Sequence, residues 1–388
     1  MVLTPEDNAR LTRLGPGTEC GEYFRRFWHP IACVSELKDF PFKVRILGED
    51  LVLYRDGRGK LGLLGLHCAH RSASLEFGSC EIDGLRCRYH GWLYNEKGEC
   101  LEMPAEPMES TFKNHVRQRA YPVKELGGLI FAYMGPGEPP ELPRYDSLVR
   151  TDGIRIVERG SFHTHNVIQT IENVMDPWHT FFTHKTMPVW SNLKPEKVIW
   201  EKTEFGVHSI TYRPFPRGHA KHVRETHFVL PNKSKIGLRE RSSPDKVSFD
   251  RPAGELLAWA VPLDDYNFQH FYAFFIPNNG PNPDDVTFFS PKGKQYWPPR
   301  RDSEGRPIMD DVLSEDIYTQ TSQGLVTPRE DEHLASSDRG ITLIRSLLFE
   351  GIEDVKKGRD PIGVYRRPRD LIPIPIQDRL IETEEIPA

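Results

Sequence analysis

His67-Cys68-Ala69-His70-Arg71 and Cys87-Arg88-Tyr89-His90-Gly91-Trp92 each set one cysteine close to a histidine, with residues 72–86 between the two groups. Two thiolates and two imidazoles suit zinc, or a [2Fe–2S] cluster in which two histidines replace two cysteines on one iron. Zinc fingers pair Cys with Cys and His with His. Here each group offers one of each, so each could hand a thiolate to one iron and an imidazole to the other. The flanking sequence reads as short strands. KVRILGEDLVLYRD (43–56) alternates, breaks at Gly48-Glu49-Asp50 and resumes, and KLGLLGLHC (60–68) and GLRCRYHGWLYN (84–95) follow the same style. The pair therefore falls in two hairpin loops of a small all-β unit. An apolar run over 127–135 ends in GPGEPPELP, a Pro/Gly cluster that marks a domain boundary near 136–145.

Beyond that boundary the pattern changes. In NVIQTIENVMDPWHTFFTH (166–184) apolar residues fall at 167, 168, 171, 174, 175, 178, 181 and 182, the stripe of an amphipathic helix. Pro177 should kink or interrupt it. The segment carries Glu172, Asn173, Asp176, His179 and His184. On an ideal helix the two histidines differ by about 140°, so they can reach one ion only if the helix is distorted or ends between them. Otherwise they are ordinary histidines on an aromatic-rich helix. Strands return over 195–278, in HSITYRPF, THFVLP, ELLAWAVP and NFQHFYAFFIP, and residues 311–357 read as helical. The Pro- and charge-rich tail from 359 is expected to wrap a surface. The whole is α+β: a small all-β domain, then an antiparallel sheet with helices beside it.

Composition bounds the function. The 388 residues suffice for two domains, and 21 Phe, 13 Tyr and 7 Trp can fill their cores. Lys and Arg total 51 against 56 Asp and Glu, a net charge of −5, which argues against nucleic acid as the main partner. No apolar run approaches the roughly 20 residues that cross a bilayer, and the opening MVLTPEDNARLTRLG lacks the apolar stretch of a secretion signal. A cytoplasmic location is expected, with no membrane partner and with the six cysteines free or metal-bound. Cys80 reads as a packed thiol, and neither His67 nor Cys100 fits the ligand pattern.

The motif Cys-x-His…Cys-x-x-His-Gly-Trp resembles the Rieske iron–sulfur domain. The second segment, Glu172-Asn173-x-x-Asp176-x-x-His179-x4-His184, resembles the signature of Rieske-type non-haem iron oxygenases of aromatic compounds, in their phthalate-dioxygenase-like branch, whose α subunit acts without a β subunit. The resemblance spans about residues 25–355, including the entry Tyr23 to Pro30. It implies an N-terminal helical segment (1–27), a Rieske domain (28–145) and a catalytic domain of helix-grip, START-like fold with a C-terminal extension (146–388). It implies one [2Fe–2S] cluster on Cys68, His70, Cys87 and His90, and one Fe(II) on His179, His184 and a downstream carboxylate. In SEDIYTQTSQG (314–324) Asp316 occupies that place, at the start of a predicted helix, with Glu315, Asp310 and Asp311 as close neighbours. Asn173 is implied to sit near the iron. Asp176 is implied to bridge His179 and His90 of a neighbouring subunit in a head-to-tail homotrimer or stacked trimers.

Such a protein is the terminal oxygenase of a multicomponent system. It hydroxylates an aromatic compound, an aromatic carboxylate suiting the branch, or O-demethylates a methoxy-aromatic acid by the same chemistry. O2 is the oxidant. Electrons come from a separate NAD(P)H-dependent flavin/iron–sulfur reductase, since the chain has no strand-then-GxGxxG fingerprint. A Rieske electron-transfer protein without oxygen chemistry is the remote alternative, and it would leave more than half of the chain without purpose. Substrate contacts are not legible. Arg213, Arg217, Arg224, Lys221, His208, His219 and His222 read better as a solvated surface than as substrate ligands, and Trp190, Trp200, Trp259 and Phe274 as core.

Overall fold

The computed structural model describes residues 2–187, 192–216, 220–239, 249, 252–283 and 298–382. Helices α1 (Pro5–Thr12) and α2 (Glu19–Phe24) open the chain, each capped by a threonine that accepts a backbone N–H. A β unit follows, made of β1 (Trp28–Cys33), β2 (Phe42–Ile46), β3 (Glu49–Arg55), β4 (Leu61–Gly65), β5 (Ser79–Glu81), β6 (Gly84–Arg86), β7 (Leu93–Tyr94), β8 (Cys100–Glu102), β9 (Ala120–Tyr121), β10 (Val123–Leu126) and β11 (Leu129–Tyr133). They form sheets β2-β3-β4-β9, β5-β6-β7-β8 and β1-β11-β10. The second of these, a run of hairpins, shares a small core of its own with β3 and β4, including Val52, Leu64, Leu85 and Tyr94.

Helix α3 (Asp146–Val149) leads into β12 (Gly153–His163), α4 (Val167–Val174) and α5 (His179–Thr183). The main sheet is completed by β13 (Lys197–Lys202), β14 (Gly206–Pro214), β15 (Ala220–Val229), β16 (Lys233–Leu238), β17 (Gly254–Pro262) and β18 (Phe268–Pro277). Helices α6 (Val312–Thr321) and α7 (Arg339–Lys356) follow, and β19 (Asp378–Glu382) ends the described chain. The sheet order is β12-β18-β17-β16-β15-β14-β13, antiparallel throughout, with β19 added to β15. The main core joins α1, α2, α4 and α7 to this sheet through Leu11, Phe24, Ile168, Ile171, Leu348 and Trp259.

As expected, Pro177 interrupts the helical stripe: α4 stops at Val174 and a new helix starts at His179. Three expectations need correction. The helical region 311–357 is two helices with 3₁₀ turns between them, and Asp316 lies in the middle of α6, not at its start. The tail does not merely wrap a surface. Ile372 and Ile374 are buried in the main core, and Asp378 is buried against His222, 2.7 Å away. The cationic run on β14 and β15 is not a solvated surface either, since Arg213 and His222 are buried. Arg217, His219 and Trp190 lie outside the described residues. Trp200, Trp259 and Phe274 belong to the cores.

Helix α4 is tied to α7 by buried charge. Glu172 receives Arg329 at 2.9 Å and Arg345 at 2.7 Å, and Arg345 also reaches Glu332 at 2.7 Å. Burial opposes ionisation of Glu172, but the two guanidiniums outweigh it and hold its carboxyl below the usual range. Removing one partner of a buried ionic group strands the others, at about 3–5 kcal/mol. Glu172→Ala should therefore lower unfolding stability by about that amount in a urea titration. A depressed carboxyl contributes stability above its unfolded pKa and loses it as pH falls, so the gap from wild type should narrow on acidification through the carboxylate range. A gap that stays constant with pH would show that the loss is one of packing.

Candidate active site

The first constellation lies on the two loops that follow β4 and β6. Cys68 and Cys87 are buried, whereas His70 and His90 are only partly covered. The thiols thus point inward, within range of one another, and the imidazoles outward, their ring centroids 4.5 Å apart. The loop geometry has local causes. Gly91 takes φ +74°, a region that disfavours a side chain, and its N–H closes the turn onto the Cys87 carbonyl at 3.1 Å. His70 stacks on Trp92 at 4.3 Å, and Tyr94 Oη lies 3.2 Å from Cys68 Sγ. Gln118 fixes the first loop: Oε1 accepts from Ala69 N–H at 2.8 Å, and Nε2 donates to the carbonyls of Gly65 and His67 at 2.7 and 2.9 Å.

Burial pushes the Cys68 thiol up, which a metal would reverse by displacing the proton. Two inward thiols and two outward imidazoles on facing loops fit a [2Fe–2S] group with one Cys₂ and one His₂ iron. His67 Nδ1 bonds the Ser72 carbonyl, and Cys80 and Cys100 pack into the neighbouring core, so none of the three joins the set.

The second constellation depends on the break at Pro177. Asp176 Oδ1 accepts the N–H groups of Trp178 at 2.9 Å and His179 at 3.4 Å, capping the new helix. His184 falls just past the end of that helix, at φ −82° and ψ 69°. The break and the end bring both rings to one place, their centroids 5.1 Å apart and their planes at 76°. Asp316 on α6 completes the group: Oδ1 lies 3.8 Å from His179 Nε2 and Oδ2 3.7 Å from His184 Nε2. Asn173 Nδ2 donates to Asp316 Oδ1 at 3.3 Å and stands 3.4 Å from His179 Nε2. Glu315 does not face the group. It is buried behind it, accepting from Thr186 N–H at 2.9 Å and lying 3.3 Å from His184 Nδ1. Asp311 caps α6 and Asp310 pairs with Arg300.

His179 has the matching support, but from a different atom than expected. Its Nδ1 donates to the Asp176 backbone carbonyl, not to the Asp176 carboxylate. Each ring therefore presents Nε2 forward with Nδ1 held from behind, the arrangement that orients ligating histidines. Burial lowers His179, whereas at His184 burial is outweighed by Asp316 and Glu315 and the net shift is upward. Two imidazoles and one carboxylate, with open space beside them, fit a mononuclear Fe(II).

That space is a cavity of about 160 Å³ between α4, α5, α6 and the sheet. Val174, Pro177, Met187, Ile236 and Val312 supply apolar walls. Arg213 and Arg224 also line the cavity, with Ser209, Thr211 and Thr226. Arg213 is 1% exposed, donates to Thr180 Oγ1 at 3.1 Å, and is pushed down to about 9 by burial, with Arg224 adding to the effect. Sequence reading could not pick it out, because nothing local distinguishes it from Lys221 or Arg224 on the adjacent strand.

Known proteins resemble the chain throughout. The model of the Rieske [2Fe–2S] domain matches residues 27–119. The α subunit of phenoxybenzoate dioxygenase from Ectopseudomonas oleovorans is 36% identical, over 94% of this chain and 89% of that protein. The oxygenase subunit of 5,5'-dehydrodivanillate O-demethylase from a Sphingobium species is 35% identical, over 100% of this chain and 91% of that protein. Among solved structures, Pseudomonas putida NdmA with caffeine superposes with a TM-score of 0.68, covering 90% of this chain and all of that one at 22% identity, a likeness of fold. With identity to an α subunit above one third across nearly the whole length, the chain belongs to the Rieske-type non-haem iron oxygenases.

Proposed function

We propose that the chain is the terminal oxygenase that oxidises an aromatic carboxylate at an Fe(II) held by His179, His184 and Asp316. The observation that carries this reading is the convergence of these three groups on a cavity that the buried Arg213 also lines. Oxygenases of the family take electrons from a separate reductase and use O2. We assign the [2Fe–2S] cluster to Cys68, His70, Cys87 and His90 in a unit spanning 28–145, and the iron to the unit from 146 onward. When bound, the cluster supplies electrons one at a time and the iron activates dioxygen.

The chain's own residues do the rest. Arg213 and Arg224 receive the carboxylate of the substrate, and the apolar wall, with Val174, Met187 and Ile236, takes the ring. A cavity of about 160 Å³ is the size for one such ring. Asp316 and Glu315 keep the two imidazoles oriented, and Asn173 sits beside both Asp316 and His179. O-demethylation of a methoxy-aromatic acid is the second reading, favoured by the similarity to the dehydrodivanillate demethylase subunit over the full chain. The described helices include none long and apolar enough to cross a membrane. The use of Cys68 and Cys87 as thiolates suits a reducing cytoplasm.

Asp176 keeps one carboxylate oxygen beyond its capping bonds, and we assign that oxygen to His90 of the partner subunit in a homotrimer. The partly exposed His90 would then pass electrons between subunits. Cys87→Ala should yield protein without acid-labile sulfide or Rieske colour, and His184→Ala protein with colour but without the second iron. Each should be inactive alone, and trimers mixed from the two should regain turnover. Restored activity is the mark of transfer between neighbours; mixing that restores nothing places transfer within one subunit.

Arg213 gives a second test. A hydrogen bond to a charged group contributes about 1.5–3 kcal/mol, or about ten- to a hundredfold in affinity. Arg213→Gln should raise KM for a carboxylated aromatic substrate by that factor and leave KM for its neutral amide analogue within about threefold. Equal losses on both would remove carboxylate recognition from Arg213.

A further inference from the structure

A row of polar side chains crosses the face of the main sheet turned away from the iron cavity. Strand register pairs Glu201 with His208, His208 with His227, and His227 with Lys235, so the four stand side by side on β13, β14, β15 and β16. Alternation sets the face. Ser209, Thr211, Arg224 and Thr226 line the cavity, so their neighbours His208, Glu225 and His227 point the opposite way. One donor atom from each of His208, Glu225 and His227 lies within 4.8 Å of the other two. His208 Nε2 is 3.5 Å from Glu225 Oε2.

The hydrogen bonds of this group leave one lone pair and one further ring nitrogen without a partner. His227, 3% exposed, places Nε2 2.7 Å from the Pro375 carbonyl. A carbonyl only accepts, so Nε2 carries the proton and Nδ1 is a bare acceptor. That Nδ1 is buried without a hydrogen-bond partner, and so is His208 Nε2. Buried polar atoms are rarely left so. A ligating histidine almost always donates its rear nitrogen to a carbonyl or carboxylate. His227 does this to Pro375, and His208 Nδ1 stands 3.9 Å from Glu201 Oε2. Burial, helped by His208, pushes His227 down to about 4, so its ring is neutral near pH 7. The cation of Lys235 is matched by Asp146 at 2.5 Å and Glu255 at 2.9 Å.

We propose that His208, Glu225 and His227 form a second metal site, separate from the iron triad, that takes a divalent ion of the zinc class. Two imidazoles and a carboxylate are ligands such ions use. The rings are stacked, with centroids 4.3 Å apart and planes at 4°. One must turn about its Cβ–Cγ bond to aim at the ion. That torsion is broad for histidine, and His208 is open enough to make the turn, its side chain being 15% exposed. A bound ion clamps β14 to β15. It also secures the C-terminal segment, through the His227–Pro375 bond and the Glu225 N–H donated to the Gln377 carbonyl at 2.8 Å.

The test uses oxygenase with cluster and iron loaded, equilibrated with zinc chloride, desalted, and assayed for zinc and iron by mass spectrometry. One zinc per chain with the iron content unchanged, and a higher melting midpoint in zinc, is the expected result. Glu225→Gln and His227→Asn should each bind zinc at least about tenfold more weakly, while His184→Ala should still take up its zinc at this site. If His227→Asn does not fold, Glu225→Gln, at a partly exposed carboxylate, carries the comparison. Zinc that enters only as iron leaves, or that binds Glu225→Gln as tightly as wild type, overturns the proposal.

Discussion

Pro177 has no amide hydrogen, and its ring leaves no room for the helix that would precede it, so the ladder begun at Val167 must stop. The rest of the candidate site follows from that stop. Asp176, set free of the ladder, turns its carboxylate onto the N–H groups of Trp178 and His179 at the start of a second helix. The second helix is one turn long, and His184 sits just beyond its end. Two residues that a continuous helix would place about 140° apart thus meet with their ring centroids at 5.1 Å. A straight amphipathic helix with the same side chains would have no site.

The break leaves two short helices that need holding, and buried charge provides the hold on both sides. Behind α4, Glu172 anchors to Arg329 and Arg345. Behind His184, Glu315 ties α6 to Thr186. The two acidic neighbours Glu315 and Asp316 thereby take different tasks, one facing the protein and one facing the imidazoles. Successive residues on a helix lie about 100° apart, so only one of them can face the space between His179 and His184.

The iron–sulfur unit solves a related problem with hairpins. Its loops bury the thiols of Cys68 and Cys87 and leave the imidazoles of His70 and His90 partly exposed. Gln118, from a distant turn, supplies three hydrogen bonds that a loop without regular structure cannot make for itself. The same logic governs the sheet behind the iron. Its two faces carry different chemistry because side chains alternate: arginines and hydroxyls toward the cavity, and the Glu201–His208–His227–Lys235 row on the other side.

The sequence by itself determined what lies within a few residues along the chain. Cys68 with His70, Cys87 with His90, the glycine at 91, and the two histidines at the start and just past the end of a one-turn helix are all local patterns, fixed by backbone geometry over one loop or one turn. The α+β class and the strands with strong alternation were legible for the same reason. Strand β12, with Arg155, Glu158 and Arg159 along it, was not, because its pairing with β18 and not its own composition makes it a strand. Nor was the tail, whose charged Asp378 is buried because His222, Arg224 and Arg239 wait for it. Tertiary structure alone decided that Asp316 and not Glu315 faces the two histidines, that Arg213 lines a cavity and not a surface, and that His208, Glu225 and His227 share one face. Each of these depends on the register or the approach of segments far apart in the chain, and local spacing carries no information about either.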